Sequence, residues 1–118
     1  DNRLYLDGSH NPLGAKALNE YLNTLDCKKH LILGMMSNKD HEEYLSKFNN
    51  ISSITTIDIP NQPNAIKGKD LKEKLNKYPN VSYKKSIEEA LDSINPGKDD
   101  LIMITGSLYL AGELLNLN

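Results

Sequence analysis

The sequence predicts an α/β fold: a Rossmann-like three-layer sandwich whose mostly parallel sheet carries helices on both faces. Two observations point there. Apolar runs of strand length alternate five times with stretches whose apolar residues recur at helical spacing. The junctions between them hold Gly, Pro, Asn and hydroxyl residues, which turn the chain or start helices. Successive strand–helix units produce parallel neighbours, because these need crossover connections, and such crossovers are almost always right-handed.

The first unit opens with Arg3 to Asp7, a short strand closed by Gly8, and continues into a helix from Leu13 to Leu25 with Leu18, Leu22 and Leu25 on one stripe. Asn11 is placed to cap its first N–H groups, and Pro12 takes the first helical position, where a missing donor costs nothing. The second unit is a fully buried strand, His30 to Gly34, followed by a helix from Lys39 to Phe48 whose stripe is Tyr44, Leu45 and Phe48. His30, at a strand start, is a structural residue. A third strand lies within Ile51 to Ile59, rich in Ile and Thr, and its helix runs from Gly68 to Lys77 with Leu71 and Leu75 four apart. Pro79 and Asn80 end it. Val81 to Tyr83 forms a short strand, and Ser86 to Ile94 a helix capped by Ser86 with Glu89 at the capping-box position, stopped by Asn95-Pro96-Gly97. Leu101 to Thr105 is the last strand and Ser107 to Leu115 the last helix.

At 118 residues the chain suits one domain, 1–118, with no boundary inside it. Fourteen basic and 16 acidic residues, net −2 and scattered in sign, argue against a nucleic-acid partner. The longest apolar runs, Leu31 to Met36 and Leu101 to Ile104, fall far short of the roughly 20 residues that cross a bilayer, so no membrane partner is expected. One cysteine, Cys27, cannot form an internal disulfide, which fits a reducing cytoplasm. Asp1 and Asn2 lead straight into a strand without an initiator Met, so further sequence is expected upstream.

In a parallel sheet, ligands gather outside the carboxyl ends of the strands, where helix N-termini present free N–H groups. Three turns there carry chemistry. The first, Asp7-Gly8-Ser9-His10-Asn11-Pro12, is the densest polar cluster: it is either an Asx-type turn with a capping Asn, or a site whose carboxylate holds ribose hydroxyls and whose imidazole offers a hydrogen bond. The second, Met35-Met36-Ser37-Asn38-Lys39-Asp40, sets Lys39 beside a helix start, where the dipole disfavours a cation unless an anion such as a substrate carboxylate shares the site. The third, Ile104-Thr105-Gly106-Ser107-Leu108-Tyr109, makes Ser107 an N-cap at minimum, lets backbone approach a ligand at Gly106, and offers the hydroxyls of Thr105 and Ser107. Phosphate-loop and dinucleotide motifs are missing, so the chain is no self-contained ATPase. A hydrolase triad of Ser107, His10 and Asp7 lacks the Gly-x-Ser-x-Gly elbow, and a metal set of His10, His41, Asp7 and Asp40 matches no ligand motif.

These three turns resemble, in order and spacing, the signatures of the C-terminal domain of the bifunctional folylpolyglutamate synthase/dihydrofolate synthase family, within the Mur ligase superfamily. The resemblance runs from about Leu4 to Leu115. It implies a ligase in which ATP phosphorylates a pteroate or folate carboxylate, the amine of L-glutamate attacks the acyl phosphate, and an amide forms as ADP and phosphate leave. It also implies that a separate central domain supplies the phosphate loop, the Mg2+ ligands and a carbamylated lysine, so that ATP and Mg2+ are bound mainly outside this chain. By the family's pattern Asp7 binds the ATP ribose, while His10, Lys39 and Ser107 line the glutamate pocket, supported by Gly8, Asn11 and Gly106. No catalytic or metal-binding residue falls in this domain, which alone is expected to be an inactive monomer whose partners are small substrates and its own N-terminal domains. Ser9 stands where the family usually has Ala, Asn38 where an acidic residue often precedes Lys-Asp, and the Asn61 to Ala65 segment lacks an arginine that some members carry. A peptidoglycan ligase of the Mur type, or a stand-alone nucleotide or amino-acid binding module, are the competing readings.

Overall fold

The computed structural model describes residues 3–116. In chain order these form β1 (Arg3–Leu6), α1 (Pro12–Leu22), β2 (Lys29–Leu33), α2 (His41–Ser46), β3 (Ser53–Thr56), α3 (Gly68–Lys74), β4 (Val81–Tyr83), α4 (Ile87–Ser93), β5 (Leu101–Thr105) and α5 (Leu108–Asn116). The strands make one parallel sheet in the order β1-β5-β2-β3-β4. The alternation of strands and helices and the α/β class therefore stand as the sequence indicates.

The middle of the sheet is apolar because it is covered twice. Alternate side chains of a strand point to opposite faces, so Leu101 and Met103 of β5 join Leu31 and Leu33 of β2 under α1, α2 and α3. Ile102 and Ile104 of β5 and Ile32 of β2 face the other way, under α4 and α5. Each fully buried Leu or Ile stabilises the fold by about 1.5–3 kcal/mol, and the double cover explains why β2 and β5 read as unbroken apolar runs. Lys29, buried at the start of β2, keeps its ammonium satisfied on the Leu25 carbonyl at 2.7 Å.

Helix starts follow the capping signals closely. Asn11 Oδ1 accepts the Gly14 N–H at 2.8 Å ahead of Pro12, and Ser86 Oγ accepts the Glu89 N–H at 3.1 Å. Helix ends are shorter than the apolar stripes suggest: α1 stops at Leu22, with Leu25 packing on the core from the following turn, and α3 stops at Lys74, with Leu75 buried beyond it. A stripe marks what is buried, which continues past the last helical turn. Similarly β3 spans only Ser53–Thr56, since Ile57 and Ile59 are buried by the loop that leaves it. Among the described residues no helix is long and apolar enough to cross a membrane.

Candidate functional site

The chain visits β5 last but inserts it between β1 and β2. That single fact gathers the three polar turns, because each leaves the carboxyl end of one of these three neighbouring strands. Together they wall a cavity of about 540 Å³ lined by His10, Met36 to Lys39, Asn64 and Ser107 to Tyr109. Of the residues expected to bind ligands, His10, Lys39 and Ser107 meet on this cleft. Asp7 is not among its lining residues.

Asp7 instead turns its carboxylate along its own loop, Oδ1 accepting the Ser9 N–H at 2.7 Å in an Asx-type turn. His10, three residues after Asp7, has an Nδ1 that is shielded from solvent and meets no hydrogen-bond partner among the described residues. A buried polar atom of this kind costs free energy until a donor or acceptor arrives.

Lys39 is half-buried and lies two residues before His41, the first residue of the helix, which corrects the expected start of α2. Asp40 is the cap, its Oδ1 accepting the Glu43 N–H at 3.0 Å, and Glu42 and Glu43 fill the first turn. Those acids satisfy the positive end of the dipole, so Lys39 is not opposed by it as its place in the sequence suggests. Lys39 still borders the cleft. Behind it, His41 is buried, with Nε2 donating to the Met36 carbonyl at 2.8 Å and Nδ1 3.4 Å from the Lys74 ammonium. Both ring nitrogens are thereby engaged, and among the described residues no three His, Cys, Asp or Glu side chains assemble into a metal site.

Ser107 is buried, and its Oγ accepts the Tyr109 N–H at 3.0 Å, the capping role expected of it. Gly106 is required by the turn itself. Its φ of +114° is a conformation that L side chains rarely adopt, and a Cβ there would collide with the Gly34 carbonyl of the neighbouring turn. The glycine lets the third turn meet the second. Leu108 and Tyr109, 64% and 53% exposed, stand at the rim.

Two contributors escape sequence reasoning. Asn64 reaches the cleft because its carbonyl takes both the N–H and the Oγ–H of Ser37, at 2.8 and 2.7 Å, and Met36 bridges Ala65 in antiparallel fashion. Nothing local signals a contact between segments so far apart. Tyr44, expected only as part of an apolar stripe, carries its hydroxyl to Ser9 and Thr105, with Oη 2.8 Å from each side-chain oxygen. A tyrosine on a fully buried stripe is itself the signal, since its hydroxyl must find a partner there. Burial raises the pKa of this phenol above its ordinary value, the hydrogen bonds to Ser9 and Thr105 opposing and the charge of Asp7 adding to the rise, so it remains neutral.

Fold and cleft define a Rossmann-like domain with an open cleft at the carboxyl edge of its sheet. The chain belongs to the Mur ligase family through its glutamate ligase domain, whose model matches residues 1–108. It is 31% identical over 113 residues, 92% of its length, to a probable bifunctional folylpolyglutamate synthase/dihydropteroate synthase of Haloferax volcanii, of which it spans 13%. The folylpolyglutamate synthase of Thermotoga maritima superposes with a TM-score of 0.81 at 27% identity, over 94% of this chain and 26% of that one. The Mycobacterium tuberculosis folylpolyglutamate synthase complexed with ADP superposes with a TM-score of 0.86 at 22% identity, over 97% of this chain and 29% of that one, and so shares the fold. The chain thus spans under a third of each of these relatives.

Proposed function

We infer that residues 1–118 are the C-terminal domain of an ATP-dependent ligase that joins L-glutamate to a pteroate or folate carboxylate. The observation that carries this reading is the convergence of His10, Lys39 and Ser107 on one cleft in a member of the glutamate ligase domain family. The reaction proceeds through an acyl phosphate: ATP phosphorylates the carboxylate, the glutamate amine displaces phosphate, and ADP and phosphate leave. In this division of labour the domain positions glutamate and closes the site, and the central domain of the whole protein handles phosphoryl transfer.

Each residue has a role suited to its chemistry. The Lys39 ammonium draws a glutamate carboxylate to the cleft, and the Ser107 hydroxyl, at the start of α5, donates to it while accepting the Tyr109 N–H. The unpartnered Nδ1 of His10 supplies a further hydrogen bond to glutamate. Asp7, one turn away, receives the ATP ribose through the oxygen that does not hold Ser9. Mg2+ and the phosphates of ATP are assigned to the central domain. The protein is assigned to the cytoplasm, whose reducing environment suits the free thiol of Cys27, and is read as a monomer.

Incubating the full-length protein with ATP, L-glutamate and either dihydropteroate or tetrahydrofolate, and following the folate by mass spectrometry, tests the reading. Addition of glutamate that requires ATP is the expected result. Turnover of ATP with another amino acid or carboxylate, and none with glutamate on folates, would sink it.

A further inference from the structure

We propose that Tyr44 is a positioning residue of the glutamate cleft, its hydroxyl locking the first and third turns in a common register. The proposal rests on the ligase reading above for the identity of the substrate, but its geometry stands apart from it.

Three hydroxyls form a closed triangle: Ser9 Oγ to Tyr44 Oη at 2.8 Å, Tyr44 Oη to Thr105 Oγ1 at 2.8 Å, and Thr105 Oγ1 to Ser9 Oγ at 3.2 Å. Each hydroxyl has one proton to donate and can accept, so a ring in which every member donates once and accepts once satisfies all three. The Ser9 carbonyl, 3.2 Å from Tyr44 Oη, is an alternative acceptor for the tyrosine's one proton, and it takes the Gly106 N–H at 3.1 Å. Ser9 adjoins His10, and Thr105 lies two residues before Ser107. The tyrosine comes from α2, whose first residue, His41, holds the Met36 carbonyl in the wall beside Lys39. One buried phenol therefore ties together the bases of the first and third turns, and it does so from the helix into which the second turn leads.

The side chain is too deep to touch substrate: Tyr44 is fully buried and does not line the cleft. Its effect passes through His10 and Ser107, whose separation the ring controls. A structural role in the core alone needs only the aromatic ring, which also packs edge-on against Phe48 at 5.6 Å between centroids. The hydroxyl is what the positioning role adds.

Tyr44→Phe in the full-length protein keeps the ring and removes the hydroxyl. The expected result is a rise of about five- to tenfold in the glutamate KM, the loss corresponding to one buried hydrogen bond, with the ATP KM within about twofold of the parent. Thr105→Val should behave alike and Thr105→Ser should restore the parent value, since serine returns the hydroxyl. Combining Tyr44→Phe with Thr105→Val should cost less than the product of the two, because either change already opens the ring. Unchanged glutamate KM in both hydroxyl-free variants, or an equal rise for ATP and glutamate, overturns the proposal. If the parent adds no glutamate, the ligase reading has failed, and hydrogen exchange decides the positioning role: Tyr44→Phe should speed exchange of the Gly106 N–H held by Ser9, and no change there overturns it.

Discussion

His30 Nε2 lies 2.9 Å from Asp100 Oδ2, and His30 Nδ1 lies 2.8 Å from Ser53 Oγ. One imidazole thus joins β2 to β3 on one side and to the turn before β5 on the other. Its function is structural, as its position at a strand start indicates, and it acts at the end of the sheet opposite the cleft.

The pair makes stability depend on acid. The hydrogen bond from His30, then the N–H of Gly97 at 2.9 Å, with smaller help from the charges of His30 and Lys28, hold the Asp100 carboxyl below its usual range. A depressed folded-state value means that the contribution is present above the ordinary carboxyl range, about pH 4, and is lost as pH falls through the lower folded value. Asp100→Asn should therefore be less stable than the parent at neutral pH, with the gap narrowing on acidification. Urea unfolding across a pH series checks this, and a gap that stays constant into acid would contradict it.

Tyr83 reports on the opposite extreme. Its hydroxyl donates to Asp58 Oδ2 at 2.6 Å, and that hydrogen bond, with burial and the charges of Asp58 and Glu89 adding, pushes its pKa up to about 12. The neutral phenol is the form favoured by folding, so this contribution is present below the ordinary tyrosine value of about 10 and is lost as pH rises through about 12. Phenolate absorbance should show two late-titrating tyrosines, Tyr83 and Tyr44, and Asp58→Asn should bring only Tyr83 back toward the others. The same change should weaken the start of α3, because Asp58 Oδ1 also holds the Gly68 N–H at 2.7 Å.

Gly106→Ala should destabilise the protein by about 1–3 kcal/mol from backbone strain alone. The added Cβ also meets Leu33 Cδ1 at 2.9 Å and Met35 Cγ at 3.1 Å, so the measured loss should reach or exceed the upper end. Chemical denaturation gives the value directly. A loss under about 0.5 kcal/mol would show that the turn relaxes and that the positive φ is dispensable.

Lys39 and Ser107 border one cleft from turns 68 positions apart in the chain, and both are assigned to glutamate. In the full-length protein Lys39→Ala and Ser107→Ala should each raise the glutamate KM with little change for ATP, and the double variant should cost less than the sum of the two. Asp7→Ala should do the reverse, raising the ATP KM by the loss of hydrogen bonds worth about 1.5–3 kcal/mol to a charged partner. Steady-state kinetics in both substrates separates the two predictions. If Lys39→Ala and Ser107→Ala raise only the ATP requirement, the cleft belongs to the nucleotide and not to the amino acid.

What the sequence determined by itself is what depends on near neighbours. Asn11 before Pro12 and Ser86 before Glu89 mark helix starts because a cap acts within one turn, and Leu31 to Leu33 and Leu101 to Ile104 mark buried strands because double-faced burial demands an unbroken apolar run. The three polar turns were legible for the same reason, each being a short string of residues. The tertiary structure decided how they combine. Placing β5 between β1 and β2 brought His10, Lys39 and Ser107 to one cleft and left Asp7 on its own Asx turn, outside the lining. It also set the Gly34 carbonyl against Gly106 and closed the ring of Ser9, Tyr44 and Thr105. These outcomes rest on contacts between residues 35 to 96 positions apart, whose partners are chosen by strand order and side-chain packing, and no local pattern of residues encodes that choice.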